Sequence, residues 1–237
     1  LRRPTHTYGM IRKYKTAAAA LAILLFLLPW LMPAHDAAGV SCDGKTVYLT
    51  FDDGPTDSTT PYVLDILREK QVHATFFVIG RQIRGREAIL RRLAEEGHSI
   101  GIHSYTHVYN EIYASPAALL KDIELCREAI RDVLPQYRGT LYRFPGGSFG
   151  LRSELIDAVK SKGYTPYDWN ASVGDAEDPP KTADLLLQNA LATSTGKKRV
   201  ILLLHDGVRY NETIRCLPGL IDAFAAEGYR FDRLPCE

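Results

Sequence analysis

The sequence predicts a single α/β domain of repeated β-α units. From Thr46 onward, short apolar runs alternate with amphipathic stretches, as in strands that are each followed by a helix. The polar residues suited to chemistry fall directly after strands and before helices, which in α/β barrels is the face that carries the active site. The 237 residues, 46% of them hydrophobic, are enough for one sizeable core, and no second domain is expected.

Cap and turn residues set the predicted boundaries. Proline after Ser or Thr predicts helix starts near Pro61 and Pro116, and Pro135 is expected to end the second of these helices. Gly80 is expected to close a buried strand, and Gly97 to end a helix. Strands are predicted at residues 47–49, 74–79, 98–102, 140–144, 164–168, 199–204 and 229–232, and helices at 63–70, 87–96, 116–133, 153–162, 182–192 and 214–227.

The N-terminal residues indicate export. Residues 17–34 carry no charge and follow a basic stretch, which is the arrangement of a signal peptide or of a membrane anchor. Either alternative assigns residues 1–39 to export and residues 40–237 to a folded domain outside the cytoplasm, secreted or held on the outer face of the membrane. Membrane contact is expected only through the N-terminal segment, within which Met10 resembles a natural start better than Leu1 does.

The charge balance narrows the possible partners. The chain has 29 basic and 28 acidic residues and a formal net charge of +1, so it offers no broad electrostatic footprint for nucleic acid. The expected substrate is therefore neutral or only locally charged. A monomer is expected.

Four cysteines in an exported chain allow up to two disulfides, in three possible connectivities. Their spacing matches no zinc motif. Because Cys42 and Cys236 bracket the domain, a bridge between them is the favoured pairing. Cys126 lies in a predicted amphipathic helix and can be a small buried apolar residue, and no pairing is assigned to Cys216.

Two adjacent carboxylates, Asp52 and Asp53, end the first predicted strand and precede Gly54-Pro55. Adjacent side chains at a strand end point in different directions, so one acid can bind a metal while the other handles a proton. A plain strand-to-turn cap is the alternative, since Asp, Gly and Pro all favour turns.

A histidine pair follows another predicted strand. His103 and His107 are four residues apart, so a helical turn would place both imidazoles on one face. Together with one carboxylate, for which we assign Asp53, they would form a facial triad that leaves coordination positions for water and substrate. His73 and His98 lie in strand sequence and are expected in the core or behind the site.

Five segments at the predicted strand ends carry most of the candidate residues. They are Thr50-Phe51-Asp52-Asp53-Gly54-Pro55, His103-Ser104-Tyr105-Thr106-His107, Arg143-Phe144-Pro145-Gly146-Gly147, Asp168-Trp169 and Leu202-Leu203-Leu204-His205-Asp206. In this order they resemble the motifs of the polysaccharide deacetylase family, which is the NodB-homology group or carbohydrate esterase family four. The resemblance spans about residues 46–234.

This resemblance implies a distorted (β/α) barrel of the NodB-homology type that binds a divalent metal, usually zinc, with cobalt or manganese as alternatives. The reaction it implies is hydrolysis of the N-acetyl amide bond of an acetylated polysaccharide. By position, it makes Asp52 the general base and His205 the general acid. It makes Asp53, His103 and His107 the metal ligands.

Supporting roles follow from the same resemblance. Arg143 would pair with the base and keep it ionised, with a surface salt bridge as the alternative. Asp168 would pair with the acid and favour its protonated form. The backbone N–H of Gly146 would stabilise the oxyanion. Trp169 and Leu203 would form an apolar slot for the acetyl methyl group, although either could be an ordinary core residue.

The expected substrate is N-acetylglucosamine in peptidoglycan. The pattern Arg-Phe-Pro-Gly-Gly-Ser with Tyr-Asp-Trp-Asn is most similar to cell-wall deacetylases of Gram-positive bacteria, although Gly146 stands where many relatives carry a larger residue. Chitin oligosaccharides and acetylxylan are alternatives, because the metal and the acid/base pair serve any acetylated sugar. A catalytically silent sugar-binding homologue is the alternative of another class, and the completeness of the residue set argues against it.

Overall fold

The alternating pattern folds into one sheet of parallel strands with helices packed on its outer face. The computed structural model describes residues 44–235. The strands are β1 (Lys45–Asp52), β2 (Thr75–Ile79), β3 (Ser99–Ser104), β4 (Leu141–Tyr142), β5 (Thr165–Pro166), β6 (Ala171–Ser172), β7 (Arg199–His205) and β8 (Tyr229–Asp232). The helices are α1 (Thr60–Glu69), α2 (Gly80–Ile83), α3 (Glu87–Glu95), α4 (Tyr109–Ile112), α5 (Pro116–Val133), α6 (Ser153–Ser161), α7 (Ala183–Ser194) and α8 (Asn211–Ala226).

Strand β1 lies at the centre of the sheet. Along one edge it pairs with β7, from Thr46 opposite Arg199 to Asp52 opposite His205. Along the other edge, β8 pairs with its first half and β2 with its second. The sheet continues from β2 through β3 and β4 to β5, and from β7 to β6, and within residues 44–235 no ladder joins β5 to β6. The predicted distorted barrel is therefore confirmed, with its opening between β5 and β6.

Side chains on β1 alternate between the two faces of the sheet. Val47, Leu49 and Phe51 are fully buried in the main core, which the helices cover. The other face looks into the barrel, whose interior contains a separate apolar cluster of Phe77, Leu141 and Leu234. These apolar side chains fill the interior of the barrel. The polar residues at the end of β1 lie beyond them, at the opening formed by the carboxyl ends of the strands.

Of the residues that precede α5 and α1, Ser115 caps its helix with a side-chain hydrogen bond and Thr59 does not. The Ser115 side chain accepts a hydrogen bond from the backbone N–H of Ala118 at 3.1 Å, and α5 spans the predicted range. Thr59 precedes α1 but makes no capping bond with its side chain. Its hydroxyl donates instead to the carbonyl of Gly207 at 2.7 Å, which ties the loop after β1 to the loop after β7.

Several elements depart from the sequence prediction. The short helices α2 and α4 and the two-residue strand β6 were not predicted, and β4 and β5 are shorter than predicted. His73 is exposed ahead of β2, so placing it in the core was wrong. His98 is buried as expected, and its Nδ1 accepts a hydrogen bond from the backbone N–H of Ala74 at 3.1 Å.

The cysteines of the described region are unpaired. Cys126 and Cys216 are both buried free thiols, and the expectation that Cys126 is a small buried apolar residue is confirmed. The pairing favoured for Cys42 and Cys236, and the export segment at residues 1–39, lie outside the described residues. Between residues 44 and 235, no helix is both long and apolar enough to cross a membrane.

Candidate active site

The carboxyl ends of β1, β3 and β7 surround a cavity of about 370 Å³. Most of the residues predicted for the site line it, namely Asp52, Asp53, His103, His107, Gly146, Trp169, Leu203 and His205. Arg143 is fully buried behind this wall, where it contacts Asp52. The fold thus brings together residues that lie up to about 150 positions apart in the chain, because the ends of neighbouring parallel strands meet at one edge.

Asp53, His103 and His107 form a cluster that can hold a metal ion. One ligand atom from each lies within 4.8 Å of the other two. Oδ1 of Asp53 is 3.6 Å from Nε2 of His103 and 3.3 Å from Nε2 of His107. This buried Oδ1 has no hydrogen-bond partner, which is costly for a carboxylate unless a cation is bound. The donor set of two imidazoles and one carboxylate therefore fits a divalent metal.

The histidine pair reaches this geometry without a helix. His103 belongs to β3, and His107 lies in the loop beyond it with a backbone φ of 58°. The helical turn that the sequence analysis considered between them is therefore not formed. A tight loop brings the two imidazoles together, since the hydroxyl of Ser104 accepts a hydrogen bond from the backbone N–H of His107 at 2.8 Å.

Two of the three ligand residues, His103 and Asp53, make a second contact. Nδ1 of His103 donates to the carbonyl of Arg143 at 2.9 Å, which leaves its Nε2 lone pair for a metal. Burial lowers the pKa of His103 to about 3, so the imidazole is neutral at physiological pH. The carbonyl of Asp53 accepts a hydrogen bond from the Gln82 side chain at 2.7 Å.

Asp122 organises the histidine loop and was missed in the sequence. This buried carboxylate on α5 accepts hydrogen bonds from the Ser104 hydroxyl at 2.6 Å and from the backbone N–H groups of Tyr105 and Thr106 at 2.8 and 3.0 Å. The signal was present, since a charge on the apolar face of a helix must find a partner. Asp122 therefore holds the loop that positions His107.

Replacing Asp122 with asparagine is expected to weaken metal binding by about tenfold, the lower end of the effect of losing an outer contact to a metal ligand. Asparagine keeps the volume but offers one acceptor oxygen where four donors converge, the fourth being the Thr106 hydroxyl at 3.1 Å. The metal dissociation constant, measured by competition with a chromophoric chelator, checks this. Glu128→Ala, an exposed change on the same helix, is the control, and equal affinities for the two variants would contradict the role.

Asp52 is placed to act as a base. It is 3% exposed, and its Oδ1 accepts a hydrogen bond from Nη1 of Arg143 at 2.9 Å. Burial raises the pKa of Asp52, and the positive charge of Arg143 opposes that rise. Arg143 is held in turn by the Thr50 hydroxyl at 2.7 Å and by the carbonyl of Tyr167 at 2.9 Å. The predicted pairing of Arg143 with Asp52 is therefore present as a buried contact.

His205 is paired with Asp175, whereas the sequence analysis assigned Asp168. Nδ1 of His205 lies 2.8 Å from Oδ1 of Asp175, whose Oδ2 accepts from the backbone N–H of His205 at 2.9 Å. The Thr213 hydroxyl also donates to this Oδ2 at 2.7 Å. Asp175 reaches the imidazole because it follows β6, the strand that pairs directly with β7. The assignment of Asp168 to this pairing is wrong.

Asp168 holds a different loop. Its carboxylate accepts hydrogen bonds from the backbone N–H of Ser148 at 3.0 Å and from the Ser148 hydroxyl. It thereby fixes the loop after β4 that contains Gly146, whose φ of 77° favours glycine. A side chain at position 146 would also crowd the Tyr109 hydroxyl, which lies 3.2 Å from the position of a Cβ.

The environment of His205 favours its protonated form. Burial alone would lower the pKa, but the hydrogen bond and the negative charge of Asp175, together with the charge of Asp52, outweigh burial and raise the pKa of His205 to about 9. The Tyr210 ring stacks on the imidazole with centroids 4.9 Å apart. Because Nδ1 is engaged by Asp175, the proton available for transfer is the one on Nε2.

Asp175→Asn is expected to move the alkaline limb of the kcat/KM profile from about pH 9 towards or below 6.5, the ordinary pKa of histidine. Without the Asp175 carboxylate, the burial of His205 dominates, and burial lowers the pKa of the imidazole. The raised pKa also stabilises the native protein below about pH 6.5, and this contribution is lost as pH rises through about 9. In Asp168→Asn, the control, the limb should stay in place, and an equal shift in both variants would contradict the pairing.

Comparisons with known proteins give matches over most of the chain. A family model described as polysaccharide deacetylase matches residues 39–167. A chitooligosaccharide deacetylase of Bradyrhizobium sp. is 32% identical over 81% of this chain and 90% of the relative. A carbohydrate esterase family four enzyme of Streptococcus mutans superposes with a TM-score of 0.77 at 32% identity, covering 81% of this chain and 87% of that chain. The catalytic domain of a peptidoglycan N-acetylglucosamine deacetylase from Eubacterium rectale superposes with a TM-score of 0.75 at 32% identity, covering 83% and 91%.

Proposed function

Because this chain belongs to the polysaccharide deacetylase family, we propose that it removes N-acetyl groups from N-acetylglucosamine units of peptidoglycan. One observation supports this above the others. A single cavity holds a cluster suited to a metal, a buried carboxylate paired with Arg143, and an imidazole paired with Asp175. A protein that only bound sugar would need none of these pairings, so their presence together argues against a silent homologue.

The proposed metal ligands are Asp53, His103 and His107, and the proposed metal is zinc. Nitrogen and carboxylate donors suit zinc, with cobalt or manganese as alternatives. The bound metal would lower the pKa of a water molecule and polarise the acetamide carbonyl. The unpartnered Oδ1 of Asp53 and the neutral imidazole of His103 support this assignment.

Asp52 is proposed as the general base that removes the proton from the attacking water. Its burial raises its proton affinity, and Arg143 holds one of its oxygens so that the other remains free to accept a proton. The backbone N–H of Gly146, on the wall of the cavity, is proposed to donate to the oxyanion that develops on the acetyl carbonyl.

His205 is proposed as the general acid that protonates the leaving sugar nitrogen through Nε2. Asp175 fixes the ring and keeps it charged at neutral pH. Trp169 and Leu203 lie on the cavity wall, where they can enclose the acetyl methyl group and exclude water. The proton taken up by the base and the proton given to the amine balance the hydrolysis of one amide bond.

Residues 40–237 are proposed to form the catalytic domain, with residues 1–39 exporting or anchoring it so that it acts outside the cytoplasm. The comparison enzyme from Eubacterium rectale is named for peptidoglycan, a polymer of the cell exterior, which supports this location. The enzyme is proposed to be a monomer.

Chitin oligosaccharides are the second candidate substrate, because a chitooligosaccharide deacetylase is 32% identical to this chain. Acetate release from N-acetylglucosamine oligomers and from purified peptidoglycan, with and without a chelator and added zinc, tests both. We expect chelator-sensitive release that zinc restores, with peptidoglycan preferred. Preference for the oligomers would favour the second candidate. Absence of release from either polymer by folded, metal-loaded protein would contradict the proposed function.

A further inference from the structure

A second cavity, of about 460 Å³, opens beside the catalytic one. The two cavities share four lining residues, which are Asp53, His107, Arg209 and Tyr210. The second cavity, which we call the side cavity, therefore adjoins the metal cluster, next to the place where an acetylated sugar would bind.

The side cavity carries two arginines without an acidic partner. Arg81 and Arg209 both line it, both are exposed, and neither forms an ion pair with a carboxylate within residues 44–235. The nearby Arg86, by contrast, pairs with Asp57 at 2.8 Å. Among the described residues, Asp53 is the only acid that lines the side cavity, and it belongs to the metal cluster. The cavity therefore carries two guanidinium groups that form no ion pair among the described residues, and its one carboxylate belongs to the metal cluster.

Both arginines sit on segments that are fixed relative to the metal cluster. Arg81 belongs to the short helix α2, and its neighbour Gln82 donates to the carbonyl of Asp53 at 2.7 Å. Arg209 precedes Tyr210, whose ring stacks on His205. The backbone positions of the two cations are thus set by the same residues that form the catalytic site, so a ligand bound between them would have a defined place relative to the reacting sugar.

The chemistry of the wall indicates which ligand fits. A guanidinium binds a carboxylate through paired, charge-assisted hydrogen bonds. Val208, 69% exposed, adds an apolar surface to the same cavity. A sugar that carries an acid group on a small apolar arm would satisfy both surfaces, whereas an uncharged N-acetylglucosamine would leave the arginines unused.

We propose that the side cavity binds a carboxylate carried by the residue next to the N-acetylglucosamine that is deacetylated, and that Arg81 and Arg209 make this recognition. The inference rests on the proposed function and deepens it. In peptidoglycan the carboxylate can be the lactyl acid of the neighbouring muramyl unit or an acid group of the peptide attached to it. Chitin offers neither, so the two arginines would select the wall polymer over chitin.

The test uses three forms of the same glycan strand. Strands freed of peptide expose the lactyl carboxylate, strands that are then coupled to methylamine have that charge removed, and strands with intact peptide carry acid groups only on the peptide. For the wild-type protein we expect kcat/KM to be about tenfold or more higher for the free acid than for the methylamide, the scale of one charge-assisted hydrogen bond. A preference shown only by the peptide-bearing strands would identify the peptide as the source.

In the variant Arg81→Gln/Arg209→Gln, kcat/KM for the charged strand should be close to kcat/KM for the neutralised strand. The change should lie mainly in KM. Arg84→Gln is the matched control, because Arg84 is exposed and lines neither cavity, and it should keep the wild-type ratio. If the wild-type protein prefers neither the free-acid strand nor the peptide-bearing strand over the methylamide, or if the double variant keeps the wild-type preference, the inference is overturned even if acetate is released. Absence of acetate from every strand and from N-acetylglucosamine oligomers would instead remove the proposed function, and the inference with it.

Discussion

Replacing Asp52 with asparagine is expected to lower kcat by about 10²- to 10⁴-fold, the usual contribution of a general base, while the protein still binds one equivalent of metal. Asparagine has nearly the same shape and can still accept the hydrogen bond from Arg143, but it cannot take a proton. Asp52 is not among the three residues whose ligand atoms cluster together, so its loss should leave the metal site intact.

The matched control for this prediction is Asp53→Asn at the next position. That variant should lose metal first, and its activity should recover in part at high metal concentration. Metal content by atomic emission and kcat at saturating substrate separate the two variants. Parallel loss of metal and activity in Asp52→Asn would contradict the division of labour between the adjacent acids.

Arg143→Met is expected to lower the free energy of unfolding by about 3–5 kcal/mol, the usual cost of breaking a buried ion pair. Arg143 is fully buried, and its guanidinium contacts Asp52, the Thr50 hydroxyl and the carbonyl of Tyr167. The methionine side chain fills much of the same volume but leaves the carboxylate of Asp52 buried without its partner.

Denaturant unfolding of the metal-free protein measures this loss. The double variant Arg143→Met/Asp52→Asn should be more stable than Arg143→Met alone, because it removes the unpaired charge. Arg84→Met, an exposed substitution, should stay within about 0.5 kcal/mol of the wild type. A loss below about 1 kcal/mol in Arg143→Met, or no recovery in the double variant, would show that the pair contributes little to stability.

The order of strands and helices could be predicted because strong local signals mark it. The cap at Ser115 and the prolines at either end defined α5, and the apolar run that became β7 was long enough to identify alone. Strands β4, β5 and β6 contain two paired residues each, so their pattern is too short to indicate a boundary. Their limits are set by tertiary pairing.

The site residues could be predicted where they adjoin a long strand with a clear apolar pattern. They were predicted less well where they follow a strand of two residues. Asp52, Asp53 and His205 end long strands, so their position was clear. Asp168 and Asp175 both follow short segments, and only the pairing of β6 with β7 decides that Asp175 reaches His205. This choice depends on neighbours in space, which local periodicity does not contain.

Because β1 lies at the centre of the sheet, the active site can form only after the distant strand β7 has paired with it. Its partner strand β7 is encoded far downstream, as the bond from the Thr50 hydroxyl to the carbonyl of Leu202 spans 152 positions. Contacts between such distant segments form late, because the intervening chain must first be closed into a loop. Asp52 and His205 therefore meet only after most of the polypeptide has been synthesised. Until then the apolar edge of β1 is exposed, and a chain truncated before β7 is expected to be inactive and prone to aggregate.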